Sequence, residues 1–270
     1  MAKAEKIAFW MRSRLASAGA RGFLVGISGG IDSAVVARLA QMAAPGAVTG
    51  VLLPCHGDPQ DERDALVVAS HFALATLRVD LSATYDVLAA EAQAALRNRP
   101  GPIRSATAPQ RGSRAGDPAT APATTADPLR GRVPLANIKP RLRMATLYFI
   151  ANSLNCLVAG TGNRSELAIG YFTKYGDGGA DLLPIGHLLK REVREMAQEL
   201  GVPGAIIDRP PSAGLWPGQL DEDEMGFTYA ELDRYVEEGP QAVSPALAMR
   251  IERLTRSNEH KRAMPPIPER

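Results

Sequence analysis

Cysteine is nearly absent. Cys55 and Cys156 are the only two in 270 residues, too few and too far apart for a disulfide framework or a zinc-binding pair. That scarcity suits a reducing compartment, and the opening stretch Met1–Lys6 mixes acid and base with no apolar core behind it. No secretory signal is expected, and a cytoplasmic location is. No run approaches the roughly 20 apolar residues of a membrane span, so no membrane partner is expected. Charge of one sign is lacking too. The net charge is +2, and residues 98–132 hold six Arg against two Asp, leaving 25 basic and 27 acidic residues elsewhere. A body so close to neutral lacks the basic footprint of a nucleic-acid binder, and no nucleic-acid partner is expected. There is no GxSxG elbow and no evident Cys/His pair, so nothing points to a covalent nucleophile.

What is present reads as strand alternating with helix. Residues 1–20 have helical spacing, and Gly22–Ile27 is a short apolar run ending in Ser28-Gly29-Gly30. A helix is expected over 32–43, a strand over 47–53, a helix from the Asp61-Glu62 pair to Phe72, and a third strand over Thr76–Asp80. A helix over 83–97 follows. Such alternation implies an α/β fold: a doubly wound, mainly parallel sheet with helices on both faces, built as a single domain over 1–270. Residues 98–132 interrupt it with six Pro, four Gly and only Ile103 and Leu129 as large apolar residues. They are expected to form a solvated Pro/Arg-rich insertion. A helix resumes near Pro140, apolar nearly all round, which implies burial in the core or in a subunit contact. Cys156–Gly160 reads as a fourth strand, 170–187 as a long Gly-rich loop, 189–200 as a helix and 203–220 as irregular. Two or three helices complete the chain. Both cysteines fall in or beside strands, where burial is the expectation.

The sharpest local signal is Gly26-Ile27-Ser28-Gly29-Gly30-Ile31-Asp32-Ser33, between a strand and a helix. Glycines let backbone amides approach an anion, the helix N-terminus adds its dipole, and Ser28 and Ser33 add hydroxyls. Asp32 has the wrong sign for a phosphate unless a divalent cation stands between them, which implies Mg²⁺; the plainer reading is a helix cap. The loop lacks the lysine of GxxxxGK[ST] and the spacing of GxGxxG. Glu166, about one turn into the helix after the fourth strand, supplies a second carboxylate for the same ion; the plainer reading is a first-turn acid. Lys190 at a helix start is poorly served by the dipole there and better served by an anionic ligand.

The string SGGIDS resembles the signature of the N-type ATP pyrophosphatases, which cleave ATP between the α and β phosphates to activate a substrate as an adenylate. Within that group the rest of the chain resembles NAD synthetase. The residues carrying this are Asn137-Ile138-Lys139-Pro140-Arg141-Leu142-Arg143-Met144, Gly160-Thr161-Gly162-Asn163-Arg164-Ser165-Glu166, Gly170 through Asp181, Arg209 through Trp216, and Glu259-His260-Lys261-Arg262. Pro140 stands where the family pattern has Ala. The resemblance implies a Rossmann-like adenine-nucleotide hydrolase fold and an ammonia-dependent ligase. Its substrates would be ATP, deamido-NAD and ammonia, with Mg²⁺ held by Asp32 and Glu166. It places ATP on Gly26–Ser33, Thr161, Lys190 and Ser212, and deamido-NAD on Arg141, Lys174, Asp181, His260 and Lys261. Asp177 joins Asp32, Glu166 and Lys190 as a catalytic candidate from the elaborate 170–181 loop. Tyr171, Phe172 and Tyr175 are candidates to stack on a pyridine ring or to fill core.

A homodimer through 140–153 is also implied. A glutaminase domain of several hundred residues does not fit, because the nucleotide loop begins at Gly26; a separate glutaminase partner, docked through 98–132, stays open. Competing readings are a tRNA-modifying ligase, disfavoured by the neutral body, and a non-catalytic nucleotide module, disfavoured by Asp32, Glu166 and Lys190.

Overall fold

The computed structural model describes residues 2–101, 128–216 and 218–268. The bulk of the expected insertion, 102–127, lies outside the described residues. The elements in order are α1 (Lys3–Ser17), β1 (Gly22–Gly26), α2 (Ile31–Ala43), β2 (Val48–Leu52), α3 (Pro59–His71), β3 (Ala75–Arg78) and α4 (Ser82–Arg97). They continue as α5 (Pro128–Ala136), α6 (Ile138–Leu154), β4 (Cys156–Val158), α7 (Arg164–Ile169), α8 (Lys190–Glu199), α9 (Gly204–Ile207), α10 (Asp221–Met225), α11 (Tyr229–Glu238) and α12 (Pro245–Ser257).

The four strands pair in parallel in the order β3-β2-β1-β4. Alternation along β1 explains the two layers. Phe23 and Val25 face a core built with Met11 of α1, Leu39 of α2 and Val193 of α8, whereas Leu24 faces Val51, Val158 and Ala151 of α6. Helices therefore cover both faces, as the alternation implied. The chain leaves β1 toward β2 on one side and reaches β4 on the other. The crevice between the carboxyl ends of β1 and β4 is thus a topological switch point, the place where ligands collect in open α/β sheets.

Several boundaries differ from expectation. The third strand is Ala75–Arg78, one residue earlier at its start and two shorter at its end, and all four residues are exposed because it is an edge strand. The fourth strand stops at Val158; Ala159 makes only one isolated parallel bridge, to Leu182. The helix placed near Pro140 starts at Ile138, with Pro140 still in its first turn, where a missing N–H is harmless. Before it, α5 occupies 128–136, which overlaps the end of the segment read as structureless. The stretch read as irregular contains the single turn α9. Cys55 is buried, but Cys156 is only partly so.

The close packing of β1 on its neighbour sets a steric limit. Phe23 N–H donates to Ala47 O at 2.9 Å, and a Cβ at Gly22 would stand 2.1 Å from that same carbonyl oxygen. Backbone meets backbone there, so neither side can yield. Gly22→Ala is expected to cost about 2 kcal/mol or more in urea unfolding; a variant as stable as the parent would contradict this approach.

Candidate functional site

The main cavity, about 620 Å³, opens at the carboxyl ends of β1 and β4. One wall is the glycine turn. Gly29 takes φ +82, and a Cβ on it would lie 2.5 Å from Asp61 O, so the turn tolerates no side chain. Gly30 caps α2 without a side-chain bond, which leaves the first amides of the helix available to a ligand. Ser33 Oγ donates to Gly30 O at 2.8 Å, and Gly30 N–H donates to Ser28 Oγ at 3.2 Å. The two hydroxyls thus brace the turn from within.

Three helix starts meet behind this turn. Asp32 is in the first turn of α2, Glu166 in the first turn of α7, and Lys190 opens α8. The ammonium of Lys190, 3% exposed, lies 2.5 Å from Asp32 Oδ2 and 3.5 Å from Glu166 Oε1. Asn163, fully buried, joins the two acidic helices: its Nδ2 donates to Asp32 Oδ1 at 3.0 Å, and its Oδ1 accepts from Glu166 N at 3.0 Å. The start of α8 is capped from another helix. Asp233 of α11, 2% exposed, accepts from Arg191 N at 2.9 Å, from Lys190 N at 3.3 Å and from the Ser165 hydroxyl. Tyr229 lies beneath, its ring 4.9 Å from the Lys190 ammonium and its hydroxyl donating to Asp221 Oδ2 at 3.0 Å.

The electrostatics follow from burial. Desolvation pushes the Glu166 carboxyl up to about 8; Lys190 opposes that shift and the Asp32 charge adds to it. Burial alone would depress Lys190, but the carboxylates of Asp32 and Glu166 outweigh it and hold the ammonium above its usual range. Desolvation also raises Asp177, whose Oδ1 accepts from Thr173 N at 2.9 Å.

Apart from Gly29, which packs against α3 and is not part of the cavity lining, the expected residues divide into two groups. Bordering the cavity are Gly26, Ile27, Ser28, Gly30, Ile31, Asp32, Ser33, Thr161, Glu166, Asp177, Lys190, Ser212 and Lys261. Arg141, Lys174, Asp181 and His260 lie outside that lining and tie the 170–181 loop down. Arg141 Nε donates to Lys174 O at 3.4 Å, and Lys174 Nζ donates to His260 O. Asp181 accepts from Val158 N at 2.7 Å and from the Tyr148 hydroxyl at 3.1 Å. Lys261, expected by its plainer reading to sit in a solvated tail, instead donates to Gly170 O and Phe172 O, both at 2.8 Å. Phe172 borders the cavity, Tyr171 donates to Glu224 at 2.7 Å, and Tyr175 is exposed.

Sequence reasoning passed over Asn163, Asp221, Tyr229 and Asp233, and the guanidinium groups of Arg143 and Arg209. Asn163 had a readable signal, since Asn163-x-x-Glu166 is a capping box. Arg209 pairs with Asp64 at 2.6 Å and with Asp61, fastening the 209–216 segment to α3. Long-range partners of this kind leave no local pattern.

Comparison with known proteins agrees with this geometry. A family model described as NAD synthase matches residues 3–104 and 117–265. The NH(3)-dependent NAD(+) synthetase of Carboxydothermus hydrogenoformans is 45% identical over 266 residues, covering 98% of this chain and 96% of that protein. Among solved structures, the NMN synthetase from Francisella tularensis gives a TM-score of 0.81 at 34% identity, covering 98% of this chain and 96% of that one. The NH3-dependent NAD synthetase from Campylobacter jejuni gives 0.72 at 25% identity, covering 98% and 97%.

Removing the central cation isolates two half-buried carboxylates. Lys190→Met is expected to lower stability by about 3 kcal/mol in urea unfolding without nucleotide. The deficit should be larger near about pH 9 than near about pH 6: Lys190 holds the raised Glu166 carboxyl down, so without it that carboxyl rises further, and the variant goes on losing stability with rising pH after the parent has stopped. A loss under about 1 kcal/mol at both pH values would contradict the ion cluster as a structural element.

Proposed function

The chain belongs to the NAD synthase family, and from that premise we propose that it converts the carboxylate of deamido-NAD to the amide of NAD at the expense of ATP, with ammonia as nitrogen donor. ATP activates the carboxylate as an acyl-adenylate and releases pyrophosphate; ammonia then displaces AMP. The observation that carries this reading is the meeting of an uncapped glycine turn with the Asp32–Lys190–Glu166 cluster at the switch point. Free amides at a helix N-terminus serve phosphate oxygens, and the buried ammonium counters the charge that moves onto the leaving pyrophosphate.

The donor set fits Mg²⁺. Asp32 and Glu166 both present oxygens to one point, now taken by the Lys190 ammonium. Among the described residues no third metal-holding side chain joins them, so the remaining positions fall to phosphate oxygens and water, the usual arrangement for this ion. Bound there, Mg²⁺ would neutralise triphosphate charge. Thr161 and Ser212 offer hydroxyls along the same cavity, and Lys261 anchors the 170–181 loop beside it. Arg141, Lys174, Asp181 and His260 set the far side of that loop, and we assign them to the dinucleotide acid beyond the triphosphate end. No helix among the described residues is long and apolar enough to cross a membrane, and we place the reaction in the cytoplasm. The whole chain, including 98–132, acts as one domain in this reading.

A second reading keeps the chemistry and shortens the acid to its mononucleotide, as the name of the Francisella tularensis relative states for that protein. Incubation with Mg²⁺, ATP and ammonia separates the two: kcat/KM for deamido-NAD should exceed that for the mononucleotide acid, with AMP, pyrophosphate and NAD formed in equal amounts. The reverse preference would select the second reading, and turnover of neither acid would reject both. Asp32→Asn and Glu166→Gln should each lower adenylation about 100-fold; rates like those of the parent would remove the Mg²⁺ assignment.

The protein is further proposed to act as a homodimer. Phe149 on α6 is 72% exposed, and α4, which packs beside it, leaves Val87, Leu88 and Leu96 exposed. Large exposed apolar side chains on two neighbouring helices support an interface there. Phe149→Glu is expected to yield monomer by light scattering where the parent gives dimer; a parent that is monomeric at micromolar concentration would contradict the proposal.

A further inference from the structure

Helix α6 opens with two cations one turn apart, Lys139 and Arg143, and neither has an ion-pair partner among the described residues. The Lys139 ammonium, 6% exposed, donates to two carbonyl oxygens, His56 O at 2.9 Å and Leu215 O at 2.6 Å. Arg143 donates through Nε to Leu53 O at 3.1 Å, and its side chain borders the cavity. The other cations there are already engaged. Lys190 holds Asp32 and Glu166, Arg209 holds Asp61 and Asp64, Arg78 holds Glu62, and Lys261 spends its donors on two carbonyls. Like charges at i,i+4 repel, and a desolvated cation without an anion is costly. Burial holds both groups below their ordinary pKa ranges, and at Arg143 it outweighs the opposing charges of Asp61 and Asp177, neither of which bonds to the guanidinium. Neither cation is paired with an anion among the described residues, and the planar fork of Arg143 has the shape that receives a carboxylate.

The surroundings of Arg143 say what that anion is attached to. Met144 follows it, and a Cβ on Gly179 would stand 3.0 Å from Met144 Cγ; Leu147, one turn on, is 3.4 Å from where Gly26 would carry a Cβ. Met144 and Leu147 thus pack on bare glycine backbone, and with Phe172 they line the cavity alongside Arg143, so the wall next to the guanidinium is apolar. A flat aromatic ring with a carboxylate on its edge suits an apolar wall that ends in a guanidinium; a triphosphate does not, and the reaction proposed above gives phosphate the amides of the glycine turn.

We propose that Arg143 receives the pyridine carboxylate of the acid substrate and is the residue by which the enzyme distinguishes that acid from its amide product. This rests on the reaction proposed above. The acid brings the charge that Arg143 lacks, and the amide leaves the guanidinium unpaired again, so the product is bound less well than the substrate.

The test compares two ligands that differ only in that group. Calorimetric titration without ATP should show Arg143→Met weakening deamido-NAD about 30-fold and NAD less than about threefold, with Arg143→Lys in between. Binding of Mg·ATP should be unchanged in both variants. Equal weakening of acid and amide would reduce Arg143 to a structural role, and a parallel loss of Mg·ATP binding would make it a phosphate contact; either overturns the proposal, as does unchanged discrimination. If Arg143→Met does not fold, Arg143→Lys, which can keep the Leu53 bond, carries the same comparison. Turnover by the parent enzyme is measured alongside. A parent that amidates no acid refutes the reaction, whereas a parent that does so while its Arg143 variants keep full discrimination refutes only the role of Arg143.

Discussion

One buried ammonium organises this molecule. Lys190 reaches Asp32 and Glu166 from the start of a third helix, and the rest of the site is arranged so that this meeting is possible. The sheet order brings the ends of β1 and β4 side by side, which puts α2 and α7 within one asparagine of each other. Asn163 then fixes their spacing through its two amide atoms. Asp233 does the same for α8 from α11, supplying acceptors to amides that Leu189 cannot cap. An unpaired charge in such surroundings would be expensive, so the cluster forms as a unit. It also concentrates fixed charge where a triphosphate and its metal must sit.

The cavity is electrostatically divided. At one end three titratable groups are nearly balanced among themselves, with Tyr229, Asp221 and Glu224 behind them. At the other, the start of α6 presents Lys139 and Arg143, which bond carbonyl oxygens and have no ion-pair partner among the described residues. A reaction joining an anionic carboxylate to an anionic phosphate needs both kinds of end, since each partner must be held against the repulsion of the other. The 170–181 loop lies between, tied down by Lys261 on one flank and by Asp181 on the other.

Much of this was legible in the sequence, for reasons that differ by residue. The strand–turn–helix at Gly26–Ser33 is a local pattern in which apolar run, glycines and helix start follow in order, and it stands where that order requires. The same holds for Glu166, whose place one turn into α7 follows from its capping box. Edges were read less well. β3 is fully exposed and β4 is three residues long, so neither carries the buried apolar run that marks a strand end. α5 lay hidden because Pro128 and Gly131 read as loop composition. Asp233 and Arg209 could not be found at all: their partners lie 42 to 148 residues away, and single-sequence periodicity carries no information at that range. The paired cations of α6 were visible as letters, but their lack of ion-pair partners among the described residues is a fact of three-dimensional packing.

The central claim is that Asp32 and Glu166 offer one shared cation position to the bound nucleotide. The most direct measurement is Mn²⁺ binding in the presence of ATP, followed by the electron paramagnetic resonance signal of the free ion, in the parent and in Glu166→Gln. The account predicts at least about tenfold weaker Mn²⁺ binding in the variant, because half of the protein's ligand set is gone. Equal binding in both would contradict it.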